Sequence, residues 1–470
     1  MKLSTALRIN GLSKVAFVGA GGKTSAMFIL GRHLLEDKPA PPSVLISTTT
    51  HLGLFQAVNA DRHIIVKNRQ DLLSLQAKFP LGVIMVTSES ASDEDFRVAG
   101  IPQDDMLALA DLHHIPLLIE ADGARMLPLK APAEYEPVIP SFVDTVVVLA
   151  GLSAMGKPLC AEWVHRPERF AELSGLAIGD IITPPALLQV LMHPMGGLKN
   201  IPPQSRRVVL FNQAESEELQ SVAQKMSDTL LEKYQAVIVG AFSQRAENKP
   251  HFREKDKLSS AISGECNNTE RIFAVHERIA GVVLAGGEAR RYGEPKQLLV
   301  WQGQPLVRRA VTTALDAGLA PVIVVTGAID APIREALQGL PVEFVHNPDW
   351  LEGLSTSVKA GVSALPDHIG GAVFLLADQP RVTPNLVRAL VEAHSSNLLP
   401  LTAPQVTGQR ATPVLFDRQV FVELQNLTGD QGGRVLFSRF PAVWVPWYDV
   451  GLTMDIDTQE DFQKLLNDEG

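Results

Sequence analysis

The chain has 470 residues, 46% of them hydrophobic and 20% charged, a globular balance that excludes wholesale disorder and leaves room for two or three domains of roughly 150 residues each. Lys and Arg number 42 against 52 Asp and Glu, a formal charge of -10; general nucleic-acid binding, which draws on a basic excess, is disfavoured. The two cysteines, Cys160 and Cys266, are too few for a disulfide framework or a four-thiolate metal site.

The opening MKLSTALRINGLSK carries charges and a glycine ahead of any apolar stretch, so no signal peptide is expected. The longest apolar runs, such as Val146 to Leu152, fall far short of the ~20 residues of a membrane span. The expectation is a cytoplasmic protein with neither a membrane nor a nucleic acid as partner. Short strand-like runs recur at α/β spacing along the whole chain. In the first half they are Val15 to Val18, Val44 to Ser47, Gly82 to Val86, Pro116 to Glu120, Thr145 to Leu149, Val208 to Asn212 and Ala236 to Val239. In the second half they are Gly281 to Leu284, Val322 to Thr326, Val342 to His346, Ala372 to Leu376 and Thr412 to Phe416. Helix-length segments separate them, which predicts βαβ units, mostly parallel sheets and ligands at the carboxyl ends of the strands.

The first motif sits at such an end. Gly19-Ala20-Gly21-Gly22-Lys23-Thr24 follows the strand from Val15 to Val18 and opens a helix. Backbone amides and a helix N-terminus attract phosphate, Lys23 neutralises it, and Thr24 reaches a Mg²⁺ ion. Standard P-loop spacing would need glycine where Phe17 stands, so the compact form is closer to the ATPase domain of Mur-type ligases. Ser47-Thr48-Thr49-Thr50 and Glu120-Ala121-Asp122-Gly123 end later strands, with Glu120 or Asp122 as the carboxylate for a metal-bound ATP or GTP. Together with LPLKAPAEYEPVIP (127–140), HRPERF (165–170), GGLK (196–199) and LFNQAES (210–216), these pieces resemble the YqeC family over most of residues 10 to 245. That resemblance implies a P-loop-like, parallel-sheet, NTP-binding domain that assists maturation of selenium-dependent molybdenum hydroxylases. Lys130, Glu136, Arg166 and Lys199 are candidate ligand contacts or, equally, surface ion-pair members. Asn212-Gln213-Ala214-Glu215 loosely echoes the N-K-x-D base-reading motif of GTPases. The twelve histidines form no metal-binding spacing, and both cysteines read as bystanders.

Residues 244–275 are dense in charge and read as a linker between a first domain at 1–243 and a second at 276–470. In the second, Gly286 and Gly287 follow the strand from Gly281 to Leu284 and Gly293 closes the loop. Arg290, Arg291 and Lys296 add positive charge beside it, a set suited to a triphosphate. The run LAGGEARRYGEPKQLL, continued by NPDWLEGLSTSVKAG (347–361), LLADQPRVTP (375–384), ATPVLF (411–416), TGDQGGR (428–434) and DIDTQEDF (455–462), resembles the MocA-like and MobA-like cytidylyl- and guanylyltransferases of molybdenum cofactor maturation. The resemblance covers about the last 190 residues and implies a Rossmann-like (GT-A type) nucleotidyltransferase domain.

It further implies Arg291 and Lys296 on the triphosphate, and Leu284, Ala285, Gly286, Gly287, Gly293, Gly353, Ser355 and Ser357 around the nucleotide. Asp378, with Asp455 or Asp457, would hold Mg²⁺. Molybdopterin, the acceptor, would lie near Thr412, Pro413, Gly429, Asp430 and Arg434, with the product passed to a molybdenum hydroxylase apo-enzyme. A terminal phosphate of the acceptor would attack the α-phosphorus of CTP or GTP and expel pyrophosphate, chemistry that rests on positioning and charge neutralisation. The Gly286-Gly287 pair is the guanylyltransferase form, whereas PKQLL, DQP and GDQGGR follow the cytidylyltransferase branch, which puts CTP ahead. Ala289 replaces a usual Ser or Gly, and Thr412 a usual His.

Overall fold

A computed structural model of the chain describes residues 1–89, 97–245, 267–287, 292 and 295–467, and these fall into two compact units, Met1–His276 and Glu277–Gly470. Both are α/β. Among the described residues no helix is long and apolar enough to cross a membrane.

The first unit is built on an eleven-stranded sheet among the described residues. Its principal strands are β1 (Lys14–Gly19), β2 (Ser43–Thr48), β3 (Gly82–Glu89), β4 (Leu117–Glu120), β5 (Thr145–Gly151), β6 (Arg206–Asn212), β7 (Ala236–Arg245) and β8 (Asn267–Glu277). They lie in the order β8-β7-β6-β5-β1-β4-β2-β3, with the shorter strands beyond or beside β3. From β7 to β3 every pairing is parallel. All residues of β2, β4 and β5 are buried; these runs are apolar without alternation because helices cover both faces, as parallel sheets require. The order reverses around β1: the helix α1 (Lys23–Glu36) carries the chain to one side of it, and β5 pairs on the other. Its carboxyl end is therefore a topological switch point.

The expected linker is strand at both ends. β7 runs to Arg245 and β8 begins at Asn267, because Phe273 packs against the first core and Val275 is 1% exposed. Residues 246–266, Cys266 included, lie outside the described residues.

The second unit's sheet has eight strands among the described residues. Its main members are β9 (Ile279–Leu284), β10 (Val322–Thr326), β11 (Glu343–His346), β12 (Gly371–Leu376), β13 (Leu401–Val406), β14 (Val414–Asp417) and β15 (Ala442–Trp447). β11-β10-β9-β12 are parallel, β14 runs antiparallel between β12 and β13, and β15 pairs parallel with β13. Alternate residues serve opposite cores: Val283, Val324, Val373 and Leu415 on one face, Val282, Ile323, Phe374 and Phe416 on the other. β13 and β15 were not legible in the sequence, since Pro404 and Pro446 interrupt them and proline argues against a strand interior.

Candidate functional site

In the second unit, β9 and β12 end side by side, and the Ala377 amide bonds to the Leu284 carbonyl at 3.3 Å. Two residues past β12, the Asp378 carboxylate meets the Lys296 ammonium, which stands at the head of a 3-10 turn (Lys296–Leu298) and also reaches Asp457 Oδ1 at 3.1 Å. Asp457 arrives there because the Ile456 amide bonds to the Asp378 carbonyl at 3.2 Å. Burial alone would lower the Lys296 pKa, but the charges of Asp378 and Asp457 outweigh it and hold the ammonium above its usual range. Asp455 lies beside this pair, and its Oδ1 accepts from Gln379 Nε2 at 2.7 Å. Burial, added to by the charges of Asp378 and Asp457, pushes the Asp455 carboxyl up despite that bond.

Of the expected nucleotide contacts, Ala285 and Gly286 are buried and Gly287 is exposed. The loop is held by Gln297, whose Nε2 donates to Gly287 O at 2.7 Å. Ser355 and Ser357 are buried at the start of the helix α2 (Leu354–Ser363), with Asn347 Nδ2 donating to Thr356 Oγ1 at 2.8 Å and to Ser357 Oγ at 3.0 Å. Gly353 has φ +111°, and a Cβ there would fall 2.6 Å from the Gly429 backbone, so the two loops touch main chain to main chain. Asp430 is exposed and its Oδ1 accepts from the Leu354 amide at 3.3 Å. Thr412 donates to Gln379 Oε1 at 2.7 Å, Pro413 is buried and Arg434 is exposed. Arg291 and Gly293 lie outside the described residues, as do Ala289 and Arg290.

Whether these residues suit a divalent cation can be judged from the donor set. Among the described residues no three His, Cys, Asp or Glu side chains make a complete metal cage. Asp378 and Asp457 nevertheless converge on one cation, the Lys296 ammonium. Two carboxylates completed by substrate phosphates and water are what Mg²⁺ takes in nucleotide sites, so the residues fit.

In the first unit the glycine loop lies against β5 and β6. Gly21 and Gly22 have φ +87° and +109°, and Cβ atoms there would fall 2.4 Å from Gly151 N and 2.6 Å from Asn212 Nδ2; only glycine fits. The loop's amides are directed differently from the expectation. Gly19 N donates to Asp122 Oδ2 at 3.0 Å, Ala20 N to Leu149 O at 3.0 Å and Gly21 N to Leu127 O at 3.0 Å. The first-turn amides of α1, from Lys23 on, remain as anion donors because a helix offers them no internal acceptor. Lys23 Nζ donates to Gly19 O at 2.7 Å and pairs with Asp122 at 3.2 Å. Thr24 Oγ1 donates to Glu120 Oε2 at 2.7 Å and accepts from Gln56 Nε2 at 2.9 Å. Burial raises the Glu120 pKa, against the charge of Lys23 and the hydroxyl of Thr24.

The remaining candidate contacts have partners within the protein. Lys130, 1% exposed at its side chain, pairs with Asp122 at 2.8 Å and Glu136 at 2.9 Å and donates to Gly123 O at 2.6 Å. Arg166 closes the series on Glu136 at 2.8 Å, and Lys199 binds the carbonyls of Ala133 and Glu134 at 2.6 and 2.8 Å. The three donors of Lys130 are thus all matched inside the protein. His165 stands beside this series; burial first, then the charges of Arg166, Lys130 and Arg125, lower it to about 4, so its ring is neutral at pH 7. Asn212 is not placed to read a base. It is fully buried, donates to Gly21 O at 2.7 Å and accepts from Phe242 N at 2.7 Å and Gln213 N at 2.8 Å, which makes it a clamp on the glycine loop. The residues given no role from the sequence (Gln56, Gln297, Asn347, Gln379) are side-chain amides; the last three lie inside quoted motifs, and Gln56 in none.

Two family models match the chain: the YqeC protein over residues 15–168 and the MobA-like NTP transferase domain over residues 281–443. Among curated proteins, the chain is 33% identical over 219 residues to an uncharacterised protein YqeC of Escherichia coli, covering 45% of this chain and 82% of that one. It is 31% identical over 202 residues to nicotine blue oxidoreductase of Paenarthrobacter nicotinovorans, covering 40% of this chain and 96% of the relative. Identity to the molybdenum cofactor cytidylyltransferase of Escherichia coli is 26% over 187 residues, 38% of this chain and 92% of the enzyme.

Proposed function

We propose, for a chain that belongs to the YqeC family in its first domain and to the MobA-like NTP transferases in its second, a nucleotidyltransferase of molybdenum cofactor metabolism fused to a nucleotide-binding accessory domain. The second domain transfers a cytidylyl group from CTP to molybdopterin. The observation that carries this reading is the Lys296 ammonium between Asp378 and Asp457 at the carboxyl ends of β9 and β12, beside a glycine loop. An enzyme that moves a nucleotidyl group has little covalent chemistry of its own to perform; it aligns two phosphates and neutralises charge.

In this reading Lys296 and Arg291 bear on the triphosphate, and Asp378 and Asp457 hold Mg²⁺. Bound there, the ion would neutralise the triphosphate and its leaving pyrophosphate. An acceptor phosphate oxygen forms a bond to the α-phosphorus, the bond from that phosphorus to the β-bridging oxygen breaks, and pyrophosphate leaves. Lys296 offsets the charge that develops on the departing oxygens. Thr412, Pro413, Gly429, Asp430 and Arg434 orient the acceptor. Asp455 serves the site by its place in the loop and is not the first choice as metal ligand, since Gln379 occupies its Oδ1.

The first domain binds ATP or GTP at Gly21, Gly22, Lys23 and Thr24, with Glu120 as the carboxylate beside the metal. The 2.7 Å bond between Thr24 and Glu120 at the switch point supports this. Its service to selenium-dependent molybdenum hydroxylases, and delivery of the finished cofactor to an apo-enzyme, complete the proposal.

The test is pyrophosphate release by the purified protein with molybdenum cofactor, Mg²⁺ and CTP, GTP or ATP separately, alongside reduction of nicotine blue. Turnover with CTP supports the reading. Reduction of nicotine blue without pyrophosphate release would replace it with the chemistry in the name of the Paenarthrobacter relative. Base choice has its own test at Gly286, where an added methyl would sit 3.1 Å from Ser357 Oγ. Alanine is the form the cytidylyltransferases carry, so Gly286→Ala is expected to raise the CTP-to-GTP ratio of kcat/KM by about tenfold, the worth of one methyl contact in a pocket. An unchanged ratio would place base selection elsewhere.

A further inference from the structure

Gln379 joins the two sides of the transferase site. It is 6% exposed, and its amide spans from Asp455 Oδ1, which accepts from Nε2 at 2.7 Å, to Thr412 Oγ1, which donates to Oε1 at 2.7 Å. Three chain segments meet there: the end of β12, the loop carrying Asp455 and Asp457, and the loop entering β14. Orientation follows from donor and acceptor chemistry. Nε2 donates to Asp455 Oδ1, so the other end of the amide, its carbonyl, faces Thr412 and can only accept. The threonine hydroxyl has one proton, and the carbonyl takes it. On its open side Thr412, which is only partly buried, has lone pairs alone to offer.

We infer that Gln379 is a positioning residue that fixes Thr412 as a hydrogen-bond acceptor, so that the acceptor substrate must present an N–H or O–H donor at that point. The inference rests on the transferase reading above. It also explains how threonine works at this place: a rotating hydroxyl serves a donor or an acceptor alike, whereas a hydroxyl tied by Gln379 discriminates. A substrate that brings a carbonyl there meets lone pairs with lone pairs, and a neutral hydrogen bond is lost.

The test is steady-state kinetics of pyrophosphate release with molybdenum cofactor as acceptor, on wild type, Gln379→Met, Thr412→Val, Thr412→Ser and the Gln379→Met/Thr412→Val double variant. Gln379→Met should raise the acceptor KM about threefold, because the hydroxyl can still accept but is no longer held as an acceptor, while the CTP KM stays within about twofold. Thr412→Val should raise it about tenfold, one hydrogen bond's worth, Thr412→Ser should recover most of that loss because it keeps the hydroxyl, and the double variant should be no worse than Thr412→Val, because both changes act on one interaction. An unchanged acceptor KM in Gln379→Met, or single effects that multiply in the double variant, overturns the inference while wild-type turnover keeps the transferase reading. A parallel fall in kcat for every variant together with a lowered Tm would make Gln379 merely structural and also overturns it. Absence of pyrophosphate release by wild type removes the transferase reading, and this inference falls with it.

Discussion

Replacing Asp378 by alanine is expected to lower kcat for pyrophosphate release about a thousandfold, the scale on which a preorganised charge in a transfer site acts, and to leave the second unit folded. The two halves of this expectation have separate causes. Asp378 is the carboxylate that meets Lys296 at the end of β12, where triphosphate charge has to be balanced. Its side chain is 20% exposed, and Lys296 keeps Asp457 at 3.1 Å after the change, so the stability loss should stay near 1 kcal/mol. Pyrophosphate release and thermal unfolding on the same preparation separate the two. A variant with near-normal turnover would remove Asp378 from the chemistry. A variant that also binds cofactor normally but never turned over in the wild-type form would point to a carrier.

Lys130→Met is expected to cost the first unit about 3 kcal/mol, because two buried carboxylates lose the cation they share and keep only Lys23 and Arg166, and to lower its Tm by roughly 10 °C. The variant keeps length and apolar volume, so the charge alone is at issue. Asp122 and Glu136 are 2% and 9% exposed at their side chains, and both lean on Lys130. The pH dependence has a defined sign. Burial would raise the Glu136 pKa, but the charges of Lys130 and Arg166 outweigh it and hold the carboxyl below its usual range. A carboxyl depressed in the folded state stabilises above its unfolded pKa and loses that contribution as pH falls through the folded value. The gap between wild type and Lys130→Met should therefore be widest at neutral pH and narrow below about pH 4. Calorimetric melts from pH 3 to 8 check it. An unchanged Tm with weakened ligand binding would instead return Lys130 to the role of a ligand contact.

The site was legible where one stretch of chain carries the chemistry. Gly21, Gly22, Lys23 and Thr24 are consecutive, and their backbone demands show as glycines; Gly286, Gly287 and Lys296 follow one strand in the same way. Lys130 and Arg166 could be read either as ligand contacts or as surface ion pairs, and the fold takes Lys130, 1% exposed at its side chain, off the surface. They are members of a buried series, which no residue type announces. The four amide residues were illegible for a related reason. Gln56 holds a hydroxyl 32 positions away and Gln379 a carboxylate 76 positions away, and a side-chain amide has no spacing rule that would connect it to so distant a partner. In the glycine loop of the first unit composition did not say where each amide points: three of them face Asp122, Leu149 and Leu127.

From the sequence alone follow two α/β units, the strands that bury on both faces, and the loops at their carboxyl ends, because these depend on hydrophobic runs and on glycine and proline acting locally. Tertiary structure alone decided that Asp378 and Asp457 share Lys296 while Asp455 turns to Gln379, and that Asn212 clamps a loop when its motif suggested a base reader. Asp455 and Asp457, two residues apart in one motif, are chemically alike on paper. Which of them meets a cation depends on angstrom-scale convergence of segments far apart in the chain, and that convergence is settled by the packing of the sheet beneath them.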